Sequence, residues 1–88
     1  MVKFDSQVNN KIGMHLSAAG EFVKLANKFS SEITVIKNDK KANGKSILGL
    51  ASLAVGAGVT ITIQIEGEDE LQAKVAIEDL LDHNFYEE

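Results

Sequence analysis

Two histidines and no cysteine make up the imidazole and thiol inventory of this 88-residue chain. The missing cysteines remove thiol catalysis, disulfides, iron–sulfur clusters and Cys-type zinc sites together. Neither His15 nor His83 has a histidine partner four residues away, so no metal centre is expected. Gly44-Lys45-Ser46 ends like a phosphate-binding loop, but Asp39 stands where that loop needs its first glycine. Gly56-x-Gly58 lacks the third glycine of a dinucleotide fingerprint, because Ile61 occupies that place. His83 closes the last predicted helix, where a cation suits the helix dipole. Glu66, Glu68, Asp69 and Glu70 surround the start of that helix, where negative charge is favoured.

His15 is less easily explained. It follows Gly13-Met14 and immediately precedes a helix, so it occupies or adjoins the N-cap. Ser, Asp or Asn would cap that helix better than histidine. The positive end of the helix dipole disfavours an imidazolium there and keeps the ring neutral and nucleophilic. The unsatisfied N–H groups of the first turn would suit a phosphoryl group carried by the ring. On position alone, a loop histidine with no role remains an equal reading.

The elements that place His15 follow from periodicity. Val2 to Val8 alternates as a half-buried strand, and Asn9 to Gly13 reads as a loop. Leu16 to Phe29 takes a helical period, with Ala19, Phe22, Val23, Ala26 and Phe29 on one stripe. Ile33 and Val35 mark a second strand, Asn38-Asp39 a two-residue turn, and Lys40 to Ala42 a short return strand. Lys45 to Ala54 is a short helix. Val59, Ile61, Ile63 and Ile65 alternate with polar residues as the clearest strand. Asp69 with Gln72 resembles a capping box before a last helix, whose apolar face is read as Leu71, Val75, Ala76 or Ile77, Leu80 and Leu81. The order β-α-β-β-α-β-α predicts an α+β fold: an antiparallel four-stranded sheet with three helices on one face.

Size and charge narrow the function. Residues 1–88 suit one domain, with no room for a separate cofactor domain. A net charge of −4 argues against nucleic acid. No apolar run approaches the ~20 residues a membrane span needs. No signal-peptide pattern opens the chain, so a cytoplasmic protein is expected.

Several segments now coincide with a known pattern: Asn10-Lys11-Ile12-Gly13-Met14-His15; Phe22 to Phe29 followed by Ser31-Glu32-Ile33-Thr34-Val35; Lys45 to Gly56; and Gly67-Glu68-Asp69-Glu70. The chain resembles the histidine-containing phosphocarrier (HPr) family of the bacterial phosphoenolpyruvate:sugar phosphotransferase system, over nearly its whole length. The resemblance implies an open-faced β-sandwich and a carrier rather than a turnover enzyme, without a cofactor. It implies that His15 accepts a phosphoryl group on Nδ1 from enzyme I and passes it to sugar-specific IIA proteins. Ser46 aligns with the serine phosphorylated by the HPr kinase/phosphorylase, which implies a link to a catabolite regulator.

Two positions depart from the family, whose signature reads His-Ala-Arg-Pro-Ala where this chain has His15-Leu16-Ser17-Ala18-Ala19. Ser17 replaces an arginine that contacts the phosphate, and offers a weaker, uncharged hydrogen bond. Ala18 replaces a proline and restores a backbone N–H. The departures favour a second reading, an HPr-like regulatory or interaction protein with impaired phosphotransfer.

Ser46 to Ala54 holds more apolar residues than one core face can take. Leu50 and Leu53 are expected inside. Ile47, Leu48 and Ala51 are expected at the surface near His15, with Leu16, Gly20 and Lys24, as a partner-binding patch. The alternative packs Ile47 or Leu48 under the loop before His15.

Overall fold

The computed structural model describes residues 1–86. Seven main elements follow in the order β1 (Val2–Gln7), α1 (Leu16–Ala26), β2 (Glu32–Lys37), β3 (Lys40–Asn43), α2 (Ile47–Ser52), β4 (Thr60–Glu66) and α3 (Glu70–Asp82). A single 3-10 turn, Asn84–Tyr86, follows α3. The strands form one sheet in the order β1-β4-β2-β3, every pair antiparallel. β4 therefore lies between β1 and β2, and its Ile63 faces Phe4 on one side and Val35 on the other.

Alternation decides which face is covered. Ile33, Val35, Ile61, Ile63 and Ile65 are buried beneath the helices. Their neighbours Thr34, Thr62 and Gln64 lie on the other face, where Thr62 donates to Asp5 at 2.7 Å. One side of the sheet is thus apolar and packed, and the other polar and open. Phe22 of α1, Leu50 of α2 and Ile77 of α3 all press into the same core and are fully buried. Each such side chain stabilises the fold by about 2 kcal/mol through burial alone.

Several elements depart from what periodicity predicts. α1 ends at Ala26, with Asn27 as its C-cap, so Phe29 lies beyond the helix and only half-buried. α2 is shorter than the Lys45 to Ala54 run, because Ser46 is its N-cap and Leu53 its C-cap. In α3 the buried stripe is Ala73, Ile77, Leu80 and Leu81. Leu71 and Val75 point outwards and are 66% and 69% exposed. A residue two places from a buried position is turned about 200° from it on a helix. The small Ala73 holds the inner position instead and is fully buried.

The predicted capping box at Asp69 is also replaced by something else. Asp69 is the N-cap of α3 but makes no side-chain cap bond. Its carboxylate reaches the start of β2, accepting from the amides of Ser30 at 2.9 Å and Ser31 at 3.0 Å, and from the Ser31 hydroxyl. The cap-like bond belongs to Glu70, which accepts from the Gly67 amide at 3.1 Å. Asp69 therefore fastens α3 to the α1–β2 connection. The Ser31 hydroxyl first, and then the Ser30 amide, hold its carboxyl below the ordinary value of 3.8. A carboxyl lowered by folding contributes stability above about pH 4, and that contribution fades as pH falls through the lowered value. Asp69→Asn is expected to lower the thermal midpoint by a few degrees at pH 7 and to flatten its decline between pH 5 and pH 2. A variant curve parallel to wild type across that range would count against the clamp.

Candidate functional site

His15 is placed by a loop that has little freedom. The Met14 amide donates to the carbonyl of Val55 at 2.8 Å. The Asn10 side-chain amide donates to the Gly13 carbonyl at 2.6 Å. Gly13 has φ of 82°, and a Cβ there would lie 2.5 Å from the Val55 oxygen. Only glycine combines that backbone with that approach. Met14 is buried, so the loop is pinned at its last residue before His15.

His15 is the N-cap of α1, with extended backbone at φ −73° and ψ −178°. Its Nδ1 accepts from the Ser17 amide at 3.2 Å. An accepting Nδ1 carries no proton, so the neutral ring holds its hydrogen on Nε2. By residue type histidine is a poor cap. The ring nonetheless performs the bond that an Asp or Ser oxygen would make. The first turn of α1 contains no acidic residue, so nothing in it opposes an anion.

Around His15 lies a shallow cleft of about 360 Å³. Ile12, Met14 and Leu16 line one side of it and Ala51, Ala54 and Val55 the other. The apolar surface beside it is exposed: Leu48 by 81%, Leu16 by 67%, Ile47 by 39%. Leu50 and Leu53 are buried, as their spacing predicted. Ile12, 71% exposed, belongs to this surface and was not anticipated. The signal was available, since Ile12 is the one large apolar residue in the polar run Asn9 to Gly13. Gly20 lies one turn after Leu16 on α1, with open space where a Cβ would stand. Lys24 is one turn further, in a separate groove with Asp79 and Tyr86. The His15 cleft does not include it.

Ser46 caps the neighbouring helix. Its Oγ accepts from the Gly49 amide at 3.0 Å, and its carbonyl accepts from Leu50 at 3.0 Å. Lys45 is held away from any phosphate-loop role, donating from Nζ to the Phe29 carbonyl at 2.7 Å. His83 is the C-cap of α3, stacked on Tyr86 at 4.8 Å and 3.3 Å from the Asp79 carboxylate. The Tyr86 hydroxyl donates to that same carboxylate, which pushes its own ionisation above the usual phenol range. A further cleft of about 390 Å³ runs beside Ser30, Thr34, Lys41 and Asn43, without a histidine. Among the described residues no three His, Asp or Glu side chains gather to hold a metal. No helix among them is long and apolar enough to cross a membrane.

The chain is thus a small open-faced sandwich with a histidine capping its first helix. The family model for the phosphorylation-site component HPr of the phosphotransferase system matches residues 2–83. The phosphocarrier protein HPr of Neisseria meningitidis is 41% identical over 87 residues, covering 99% of this chain and 98% of that one. The HPr-like protein Crh of Halalkalibacterium halodurans is 48% identical over 77 residues, 88% of this chain and 92% of that one. A crystal structure of HPr from Thermoanaerobacter tengcongensis superposes with a TM-score of 0.96 at 43% identity, covering 100% of this chain and 99% of its own. The chain belongs to the HPr family of the phosphotransferase system.

The glycine before the site gives a direct check on the pinned loop. Gly13→Ala introduces a side chain at positive φ against backbone and is expected to cost about 2 kcal/mol or more in urea unfolding. A loss under about 0.5 kcal/mol would mean that the approach to Val55 relaxes freely.

Proposed function

We propose that the chain, as one domain over residues 1–88, is a phosphoryl carrier that uses His15 Nδ1. The observation carrying this reading is the Ser17 amide donating to His15 Nδ1 at 3.2 Å, which marks that nitrogen as the ring's acceptor. The bond from phosphorus to the donor's leaving atom breaks as the Nδ1–P bond forms. Nδ1 needs no base, because it has no proton to lose, and Nε2 keeps its hydrogen throughout. The Ser17 amide moves from the ring nitrogen to a phosphoryl oxygen, joined by the other N–H groups of the first turn, including that of Ala18. Onward transfer reverses these changes and restores the cap.

In this reading the donor is enzyme I, the acceptors are sugar-specific IIA proteins and the carrier works in the cytoplasm; membership of the HPr family supports it. Leu16, Gly20, Ile47, Leu48 and Ala51 supply the docking surface next to His15, with Lys24 at its far margin. A modest apolar patch suits short-lived encounters with several partners. Ser46 is the regulatory position for the HPr kinase/phosphorylase and a catabolite regulator. Phosphorylating its Oγ would convert a neutral cap into a dianion in the middle of that surface.

Ser17 favours a second reading, a regulatory HPr-like protein with slow phosphotransfer. The family arginine would add a charge-assisted bond to the phosphoryl group. Enzyme I and labelled phosphoenolpyruvate separate the two. Acid-labile label is expected on wild type and absent from His15→Ala. Ser17→Arg is expected to speed passage to a IIA protein about five- to tenfold. Label that survives His15→Ala ends the carrier reading, and no gain from Ser17→Arg ends the account of the slow step. Leu48→Glu is expected to raise KM for enzyme I at least about threefold while shifting stability by less than about 0.5 kcal/mol. Marked unfolding of that variant would instead assign Leu48 to packing.

A further inference from the structure

The C-terminal end of α2 is held from outside the helix. Lys37, the last residue of β2, donates from Nζ to the carbonyl of Leu53 at 2.9 Å and to that of Ala54 at 2.8 Å. Both carbonyls lie just past the helix, where its own ladder supplies no further donors. Ala54 has φ of 54°, a left-handed turn that usually takes glycine. With alanine there, the turn is strained, and one ammonium bridging two successive carbonyls holds it in place.

What the turn supports is the loop carrying His15. The residue after Ala54 is Val55, whose carbonyl accepts from Met14 at 2.8 Å. Met14 adjoins His15, and Ala54 itself lines the His15 cleft. A short series of contacts therefore runs from Lys37 through Leu53 and Ala54 to Val55, Met14 and the capping ring.

We propose that Lys37 is a positioning residue for the chemistry at His15: its ammonium fixes the strained Ala54 turn, and the turn fixes the loop that aims Nδ1. The proposal rests on the reading of His15 as phosphoryl acceptor. Lys37 touches no reacting atom, and its effect passes through backbone.

Lys37→Met keeps the apolar stem and removes the donors. The measurements are thermal unfolding, amide hydrogen exchange at Met14, and the enzyme I to IIA transfer assay with KM and kcat separated. The variant is expected to fold, with Met14 exchanging at least about tenfold faster. Its kcat is expected to fall about three- to tenfold, with KM within about twofold because Leu16, Ile47 and Leu48 are untouched. Adding Ala54→Gly to Lys37→Met removes the strain that the ammonium offsets, and should recover most of both losses. If Lys37→Met does not fold, Lys37→Gln, which retains one donor, is read the same way with a smaller loss.

Wild-type exchange at Met14 together with wild-type kcat overturns the proposal. So does a rise in KM with kcat unchanged, which would make Lys37 a docking residue. Failure of Ala54→Gly to recover either loss overturns it too, since the strained turn would then not be the link. If wild type takes no label on His15, the carrier reading fails by itself. The Met14 exchange and its recovery by glycine then still decide whether Lys37 holds the loop.

Discussion

The contact between the Gly13–Met14 loop and Val55 governs the rest of the site. It joins two segments about forty residues apart in the chain by one backbone hydrogen bond and one close approach that only glycine permits. Remove it and α1 can still form, since its buried stripe packs on the sheet regardless. What would be lost is the orientation of His15 relative to α1 and α2. α1 and α2 pack directly on one another and bring Leu16 and Leu48 to one side, and the pinned loop sets the capping ring and Ile12 beside them. The sheet and the three helices thus provide a rigid base, and the loop contact sets the geometry above it.

Both candidate phosphorylation residues are helix N-caps, His15 through Nδ1 and Ser46 through Oγ. A cap bond is worth roughly 1 kcal/mol. It also brings a nucleophilic atom to backbone N–H groups that have no other helical partner. The same geometry that stabilises the first turn is suited to an anion, so the cost of placing histidine at a cap is small. α1 does not rely on its cap alone, because Ala18, Ala19, Phe22, Val23 and Ala26 anchor it in the core.

Most of the fold could be read from periodicity, since alternating strands and a covered sheet face are local patterns. Ile61, Ile63 and Ile65 admit almost no other reading. α3 was harder: Leu71 and Val75 share a helical spacing with one another, and hydrophobicity alone chose them over Ala73. The helix instead turns Ala73 inward with Ile77, Leu80 and Leu81, a stripe that leaves Leu71 and Val75 outside. Asp69 was misread for a different reason. Its partners Ser30 and Ser31 lie nearly forty residues away, and a sequence motif offers only local partners. In the candidate site, the positions of His15 and Ser46 at helix starts and the exposure of Leu16, Ile47 and Leu48 were legible from residue type and pattern. Ile12 and Lys37 were not, because their significance comes from what the fold lays against them.

Ala18, third residue of α1, has a consequence outside the site. Where the family signature has proline this chain has alanine, and it contains no proline elsewhere. Its unfolded molecules therefore hold no mixture of slowly exchanging prolyl isomers, the usual source of refolding phases lasting tens of seconds. Nearly every unfolded chain starts from trans peptides, so the prolyl source of slow refolding is missing.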